Sequence, residues 1–142
     1  MRRTGALALV AALAAGCGGG DGEPLPAPPP APRHSPPETV LSVVVEPTGT
    51  GGPSHETRLE CDPAGGNHPA PEPACAALAA SPHSLDPVPD NVACTQQYGG
   101  PERASVRGVR DGRQVDATFS RANGCEIARW DALQPLFRVP GG

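Results

Sequence analysis

The sequence predicts an α+β domain, because five candidate strands and two candidate helices follow one another along residues 38–142. Apolar, β-branched runs and alternating patterns indicate the strands, and an alanine-rich stretch that begins with prolines indicates a helix. Large apolar side chains are few, since the chain has one Trp, one Tyr and two Phe. Such a core is thin, and disulfides between the cysteines would stabilise it.

Two strands are predicted at the start of this domain. Residues 40–45 (VLSVVV) are apolar and mostly β-branched, which favours a buried strand. Residues 48–54 (TGTGGPS) lack the Gly-Lys-Ser/Thr element of a phosphate-binding loop, so they are interpreted as a hairpin connection. The return strand is expected at residues 55–61.

A helix is predicted at residues 71–80 (PEPACAALAA). Prolines and an acidic residue stand in its first turn, and alanines and a leucine follow. Residues 81–91 are rich in Pro, Ser and Asp, which indicates a loop or an irregular short helix.

A β-hairpin is predicted around Asp111-Gly112, which lies between strand-like residues 104–110 and 113–120. Asp-Gly is a strong hairpin signal because both turn residues adopt positive φ. In the second strand, apolar and polar residues alternate, so one face is expected in the core and the other in water. Asn123-Gly124 is interpreted as another turn. A short helix is expected at 127–133 and a last strand at 136–139.

The first 16 residues are predicted to be a signal peptide. Arg2 and Arg3 are basic, residues 6–15 (ALALVAALAA) are apolar, and small residues follow. A charged, then apolar, then small-residue order is typical of a signal peptide. The apolar run is shorter than the roughly 20 residues that span a bilayer.

Cys17 is predicted to carry a lipid. Residues 14–17 (AAGC), preceded by Leu13, are similar to the bacterial lipoprotein box, whose cysteine becomes the lipidated N-terminus. The alternative is an ordinary signal peptide cut near Ala15, which leaves a free thiol. The chain has five cysteines, so an unpaired thiol would remain in an oxidising compartment, and lipidation removes it. The expected location is extracellular, on the outer face of the cell membrane.

Residues 17–37 are predicted to consist of the lipid-anchor cysteine and a linker. The segment is rich in Gly and then in Pro, and proline restricts φ and removes donors. It is expected to be extended, at roughly 3.1 Å per residue. A spacer without a partner is favoured over a ligand of an SH3-type domain.

Several function classes are disfavoured. The formal net charge is −4, so nucleic acid is not an expected partner. No Cys-x-x-Cys pair with histidines at zinc spacing occurs, so no metal or other cofactor is expected. The histidines lack paired Ser or Asp motifs, so they are interpreted as surface or turn-supporting residues and no catalytic residue is assigned. They are His34, His55, His68 and His83.

Short blocks around the remaining cysteines resemble the subtilisin-inhibitor-like family of secreted bacterial proteins. They are residues 61–63 (CDP), 66–70 (GNHPA), 74–78 (ACAAL), 94–98 (CTQQY) and 123–126 (NGCE). Sequence alone leaves the cysteine pairing open. The resemblance implies that Cys61 pairs with Cys75 and Cys94 with Cys125. It also implies a five-stranded antiparallel sheet with two helices.

The resemblance implies a reactive loop of six residues. They are Ala93, Cys94, Thr95, Gln96, Gln97 and Tyr98. In the family, the protease cleaves after the second residue beyond the loop cysteine, which places the scissile bond between Gln96 and Gln97. Gln96 would enter the primary specificity pocket, where the family often has Met, Lys or Arg. Gly99-Gly100 is expected to loosen the chain after the bond.

The predicted function is inhibition of subtilisin-like serine proteases by a membrane-anchored protein. A subtilisin-type endopeptidase and a membrane, through the lipid, are the expected partners, and the family's usual homodimer is left open. The alternative is a non-inhibitory lipoprotein that uses the same fold as a binding or structural module. An extracytoplasmic enzyme or solute-binding lipoprotein is disfavoured, because the chain lacks a catalytic constellation and the size for a cleft.

Overall fold

The structure is a computed structural model that describes residues 37–141. Residues 1–36 lie outside this range. They include the predicted signal peptide, the predicted lipid-attachment residue Cys17, His34 and all of the predicted linker except Pro37. Within the described part of the chain, no helix is long and apolar enough to cross a membrane.

β1 (Thr39–Glu46) is the central strand of the sheet. Its side chains alternate between two faces, so that Leu41 and Val43 are fully buried while Ser42 is half-buried. β2 (His55–Cys61) runs antiparallel to it. β-Branched side chains suit this position, because a central strand packs against neighbours on both sides. The predicted strand at 40–45 and its return strand are both confirmed.

The fifth strand is the short β3 (Gly65–Gly66), which pairs with β2. Gly66 has a φ of +88°, and a Cβ there would collide with the carbonyl oxygen of Arg58. Glycine is required at this position because it alone tolerates both the backbone angle and the close approach. Sequence patterns do not indicate β3, since two glycines show no side-chain periodicity.

β4 (Gly100–Arg110) and β5 (Arg113–Arg121) form the predicted hairpin. Asp111 and Gly112 have φ angles of 49° and 75°, as the expected turn requires. β4 begins at Gly100, before the predicted start at residue 104. This extension carries the strand up to the predicted reactive loop.

The sheet order is β3-β2-β1-β4-β5, and every neighbouring pair is antiparallel. α1 (Pro71–Ala80) packs against β2, and α2 (Gly124–Ala132) packs against β5. Their buried side chains join one core on a single face of the sheet. The predicted fold class, a five-stranded antiparallel sheet with two helices and two disulfides, is confirmed.

The core between sheet and helices is built around aromatic rings. The ring centroid of Phe137 lies 4.4 Å from that of Trp130 and 4.9 Å from that of Phe119. The Arg129 guanidinium stacks on the Phe119 ring, 4.5 Å from its centroid. The largest fully buried side chains around them are Leu41, Leu59, Leu133, Leu136, Val43 and Val106.

The predicted last strand at 136–139 is wrong. The chain forms a short 3-10 helix there, Gln134–Phe137, in which Leu136 and Phe137 are buried. Pro135 cannot donate to a strand ladder, but it fits the first turn of a helix. Packing on the core, and not strand pairing, therefore explains the apolar residues.

The predicted turn at Asn123-Gly124 is instead the start of α2. The Asn123 side chain caps the helix by accepting a hydrogen bond from the Glu126 amide at 3.0 Å. α2 therefore begins before residue 127, where the sequence pattern placed the helix. Asn is favoured both in turns and at helix N-caps, which explains the misplaced boundary.

Each of the two disulfides joins a helix to another part of the chain. Cys61 with Cys75 links the end of β2 to α1. Cys94 with Cys125 links the segment before β4 to the first turn of α2. These are the pairs that the family resemblance implies.

Candidate functional site

The predicted reactive loop is an exposed segment without helix or strand, directly before β4. Cys94 is half-buried because its disulfide faces the domain. The other side chains of the predicted loop are exposed. They are Ala93, Thr95, Gln96, Gln97 and Tyr98. The structure thus places the whole predicted set on one continuous surface segment.

The N-terminal part of this loop is bound to the start of α2. The disulfide joins Cys94 to Cys125, and the Gly124 amide donates a hydrogen bond to the Thr95 carbonyl oxygen at 3.1 Å. The Thr95 hydroxyl occupies the space where a Cβ on residue 124 would lie. Glycine at position 124 therefore leaves room for the Thr95 side chain beside the start of α2.

The C-terminal part of the loop is bound to the end of β5. The Gly99 amide donates a hydrogen bond of 2.7 Å to the Arg121 carbonyl oxygen, and Gly100 pairs with Arg121 in the sheet. A Cβ on Gly99 would lie 2.9 Å from side-chain carbons of Ile127, so this glycine is closely packed. The expectation that Gly99-Gly100 loosens the chain is wrong, because the missing side chains permit these close contacts.

Both parts of the loop are thus attached to one short segment, residues 121–125. Arg121 holds the chain after the predicted scissile bond, and Gly124 with Cys125 holds the chain before it. Between these attachments, the backbone groups of Gln96 and Gln97 make no hydrogen bond to any other described residue. Sequence reasoning identified Cys125 here but not the role of Arg121, which follows from strand register.

Two large apolar side chains are exposed in and just before the predicted reactive loop. Val92 is 48% exposed and Tyr98 is 69% exposed, and they are the only exposed large hydrophobic residues in the part of the chain that the structure describes. Their positions bracket Gln96. Both side chains are therefore accessible to a molecule that contacts this part of the chain.

The histidines of the described domain do not form a catalytic or metal-binding group. His68 is buried, where its Nε2 donates to the Leu136 carbonyl oxygen at 3.0 Å and its Nδ1 accepts from the Ala70 amide at 3.1 Å. It therefore supports a turn. His83 is exposed and lies 3.3 Å from Asp86. Residues 37–141 contain no cluster of His, Cys, Asp and Glu that could hold a metal ion.

Comparison with known proteins gives the class to which this fold and loop belong. The family model "Subtilisin inhibitor-like" matches residues 36–123. Subtilisin inhibitor-like protein 1 of Streptomyces cacaoi is 35% identical over 104 residues, which cover 70% of this chain and 94% of that protein. Protease inhibitor SIL-V5 of Streptomyces luteoverticillatus is 31% identical over 99 residues, covering 66% of this chain and 91% of that protein.

The chain belongs to the subtilisin inhibitor-like family. It is also similar to Streptomyces caespitosus sermetstatin, whose crystal structure was solved in complex with Bacillus licheniformis subtilisin. That similarity has 26% identity and a TM-score of 0.42, and it covers 69% of this chain and 94% of the other. Because the family consists of protease inhibitors, the prediction that the chain is not an enzyme is confirmed.

Proposed function

We propose that this domain inhibits subtilisin-like serine proteases by presenting Gln96–Gln97 as a bond that is cut slowly and easily resealed. One observation carries the proposal: the loop is attached on both sides of that bond to residues 121–125. This segment is covalently continuous. A loop cut between Gln96 and Gln97 therefore leaves two ends that both remain fixed to the same short piece of backbone.

The attachment also lowers the cost of binding. A free peptide loses conformational entropy when a protease cleft holds it extended, whereas a loop already fixed near that shape loses less. Ala93 and Thr95 have exposed side chains on a segment without helix or strand, as an extended peptide in a protease cleft needs. The Cys94 disulfide limits the loop's freedom just before Gln96.

The same geometry explains why attack on the bond would not consume the inhibitor. The protease serine adds to the Gln96 carbonyl carbon, and the amine of Gln97 is the leaving group. Since the Gly99 amide is hydrogen-bonded to the Arg121 carbonyl oxygen, the amine of Gln97 stays near the acyl group at high effective concentration. Resealing of the peptide bond then competes with attack by water.

Affinity would come mainly from side chains that the loop exposes. Tyr98 and Val92 can each bury apolar surface against the protease. A few such residues usually supply most of the binding energy of an interface. Gln96 is uncharged, so a protease with a broad, apolar primary pocket fits it better than one that needs a cation.

The alternative is a binding or structural module that kept the fold and lost inhibition. Titration of the purified domain (residues 38–142) against subtilisin distinguishes the two, since an inhibitor blocks activity at stoichiometric concentration and is cut slowly at Gln96–Gln97 alone. Rapid cutting at several sites, or no effect on activity, would favour the module.

The proposal includes the location of the domain. Cleavage of residues 1–16 and lipidation of Cys17 would place it on the outer face of the cell membrane. The Gly- and Pro-rich residues 17–37 would then hold the loop away from the lipid surface. The sequence features around Cys17 support this part of the proposal.

A further inference from the structure

An ion pair lies at the base of the loop, on the side that follows the scissile bond. Glu102 Oε1 and Arg121 Nη1 are 3.3 Å apart, and the two side chains are only 31% and 27% exposed. Arg121 is also the residue whose carbonyl oxygen accepts the Gly99 amide. The ion pair and the main-chain attachment of the loop therefore share one residue.

Glu102 also contacts the backbone of the loop base directly. Its carboxylate occupies the space where a Cβ on Gly100 would lie, and Gly100 has a φ of +145°. Glu102 Oε2 and Arg121 Nε are buried and form no hydrogen bond with any described residue. Among the described residues, the contact between Oε1 and Arg121 Nη1 is therefore the one hydrogen bond of this carboxylate.

We propose that Glu102 is a positioning residue, which through Arg121 holds the leaving side of the loop while the Gln96–Gln97 bond is open. This inference rests on the proposed inhibitory function. Hydrolysis adds one water across that bond, giving a carboxylate on Gln96 and an amine on Gln97, and resealing expels the water. Tighter fixation of the amine side in the cut state shifts this equilibrium toward the intact loop.

The chain provides a matched control. Arg107 and Asp116 also lie opposite each other on β4 and β5, with Nε and Oδ1 3.2 Å apart. Their side chains are 67% and 69% exposed and lie away from the loop. Asp116→Asn removes an ion pair from the same hairpin without touching the loop base.

The experiment measures the equilibrium ratio of cut to intact inhibitor with catalytic amounts of subtilisin, approached from both the intact and the cut protein. Glu102→Gln should raise the ratio about fivefold, the upper end for such an ion pair, while Asp116→Asn leaves it unchanged. Glu102→Asp should raise the ratio as well, because the shorter side chain cannot bring its carboxylate to Arg121. High salt should raise the wild-type ratio and leave that of Glu102→Gln unchanged.

A second readout does not depend on inhibition. Hydrogen exchange at the Gly99 amide should speed up in Glu102→Gln and stay at the wild-type rate in Asp116→Asn. If wild type inhibits subtilisin but Glu102→Gln matches Asp116→Asn in both ratio and exchange, the inference alone is overturned. If wild type neither inhibits nor is cut at Gln96–Gln97, the proposed function falls and the inference with it.

Discussion

Thr95 and Gly124 fit together as a pair at the point where the loop meets α2. The Gly124 amide donates to the Thr95 carbonyl oxygen at 3.1 Å, and the Thr95 hydroxyl fills the space that a side chain on residue 124 would need. This contact lies immediately before Gln96. The absence of a side chain at residue 124 leaves room for the Thr95 hydroxyl.

Gly124→Ala should therefore weaken inhibition of subtilisin by about tenfold or more, because the new Cβ displaces Thr95 and overpacking of this kind costs about 1–3 kcal/mol. The inhibition constant and the rate of cutting at Gln96–Gln97 measure the effect. Gly65→Ala is the control, since a Cβ there meets only ordinary contact at 3.9 Å. Equal inhibition by both variants would show that the contact does not shape the loop.

Gln96→Lys should create inhibition of trypsin, because a lysine ammonium can pair with the carboxylate at the base of the trypsin pocket. Buried charge pairs shift binding by several kcal/mol, so the gain should be on the order of a hundredfold or more. Gln97→Lys is the matched control, as it puts the same charge on the other side of the bond. Similar trypsin inhibition by the two variants would mean that the scissile bond is placed wrongly.

The two disulfides should have different consequences when removed. Replacing either pair by serines should lower the free energy of unfolding by about 3–4 kcal/mol. Loss of the bond between Cys94 and Cys125 should also turn the protein into a substrate, since the chain before Gln96 then loses its covalent attachment. Loss of the bond between Cys61 and Cys75 should leave a folded inhibitor at low temperature.

Thermal unfolding and mass analysis of protease digests separate these effects. The comparison is made below the melting temperature of both variants, so that each is folded when the protease is added. Slow, single-site cutting of the variant without Cys94 and Cys125 would contradict the role given to that disulfide.

Cys17→Ser should move the full-length protein from the membrane fraction to the soluble fraction or to an unprocessed pool. The reason is that only a cysteine at that position can take the lipid, and a single substitution leaves the rest of residues 1–37 unchanged. Fractionation followed by immunoblotting measures the result. A variant that stays in the membrane fraction at the wild-type processed size would refute lipid anchoring.

Short-range signals in the sequence were enough to predict much of this fold. The β-branched run at 40–45, the Asp111-Gly112 turn and the prolines that begin α1 each carry a short-range signal, and each predicted its element correctly. The cysteine blocks predicted where the reactive loop lies, at residues 93–98. These features are visible because backbone sterics and side-chain periodicity act within a few residues.

Only the tertiary structure decided how the loop is held. The pairing of Gly100 with Arg121, the contact of Thr95 with Gly124 and the ion pair from Glu102 join residues that are far apart along the chain. The same reason explains why β3 and the final 3-10 helix could not be predicted, since pairing with β2 and packing on the core determine their conformations. Such contacts depend on strand register and close packing, which exist only after the sheet has formed.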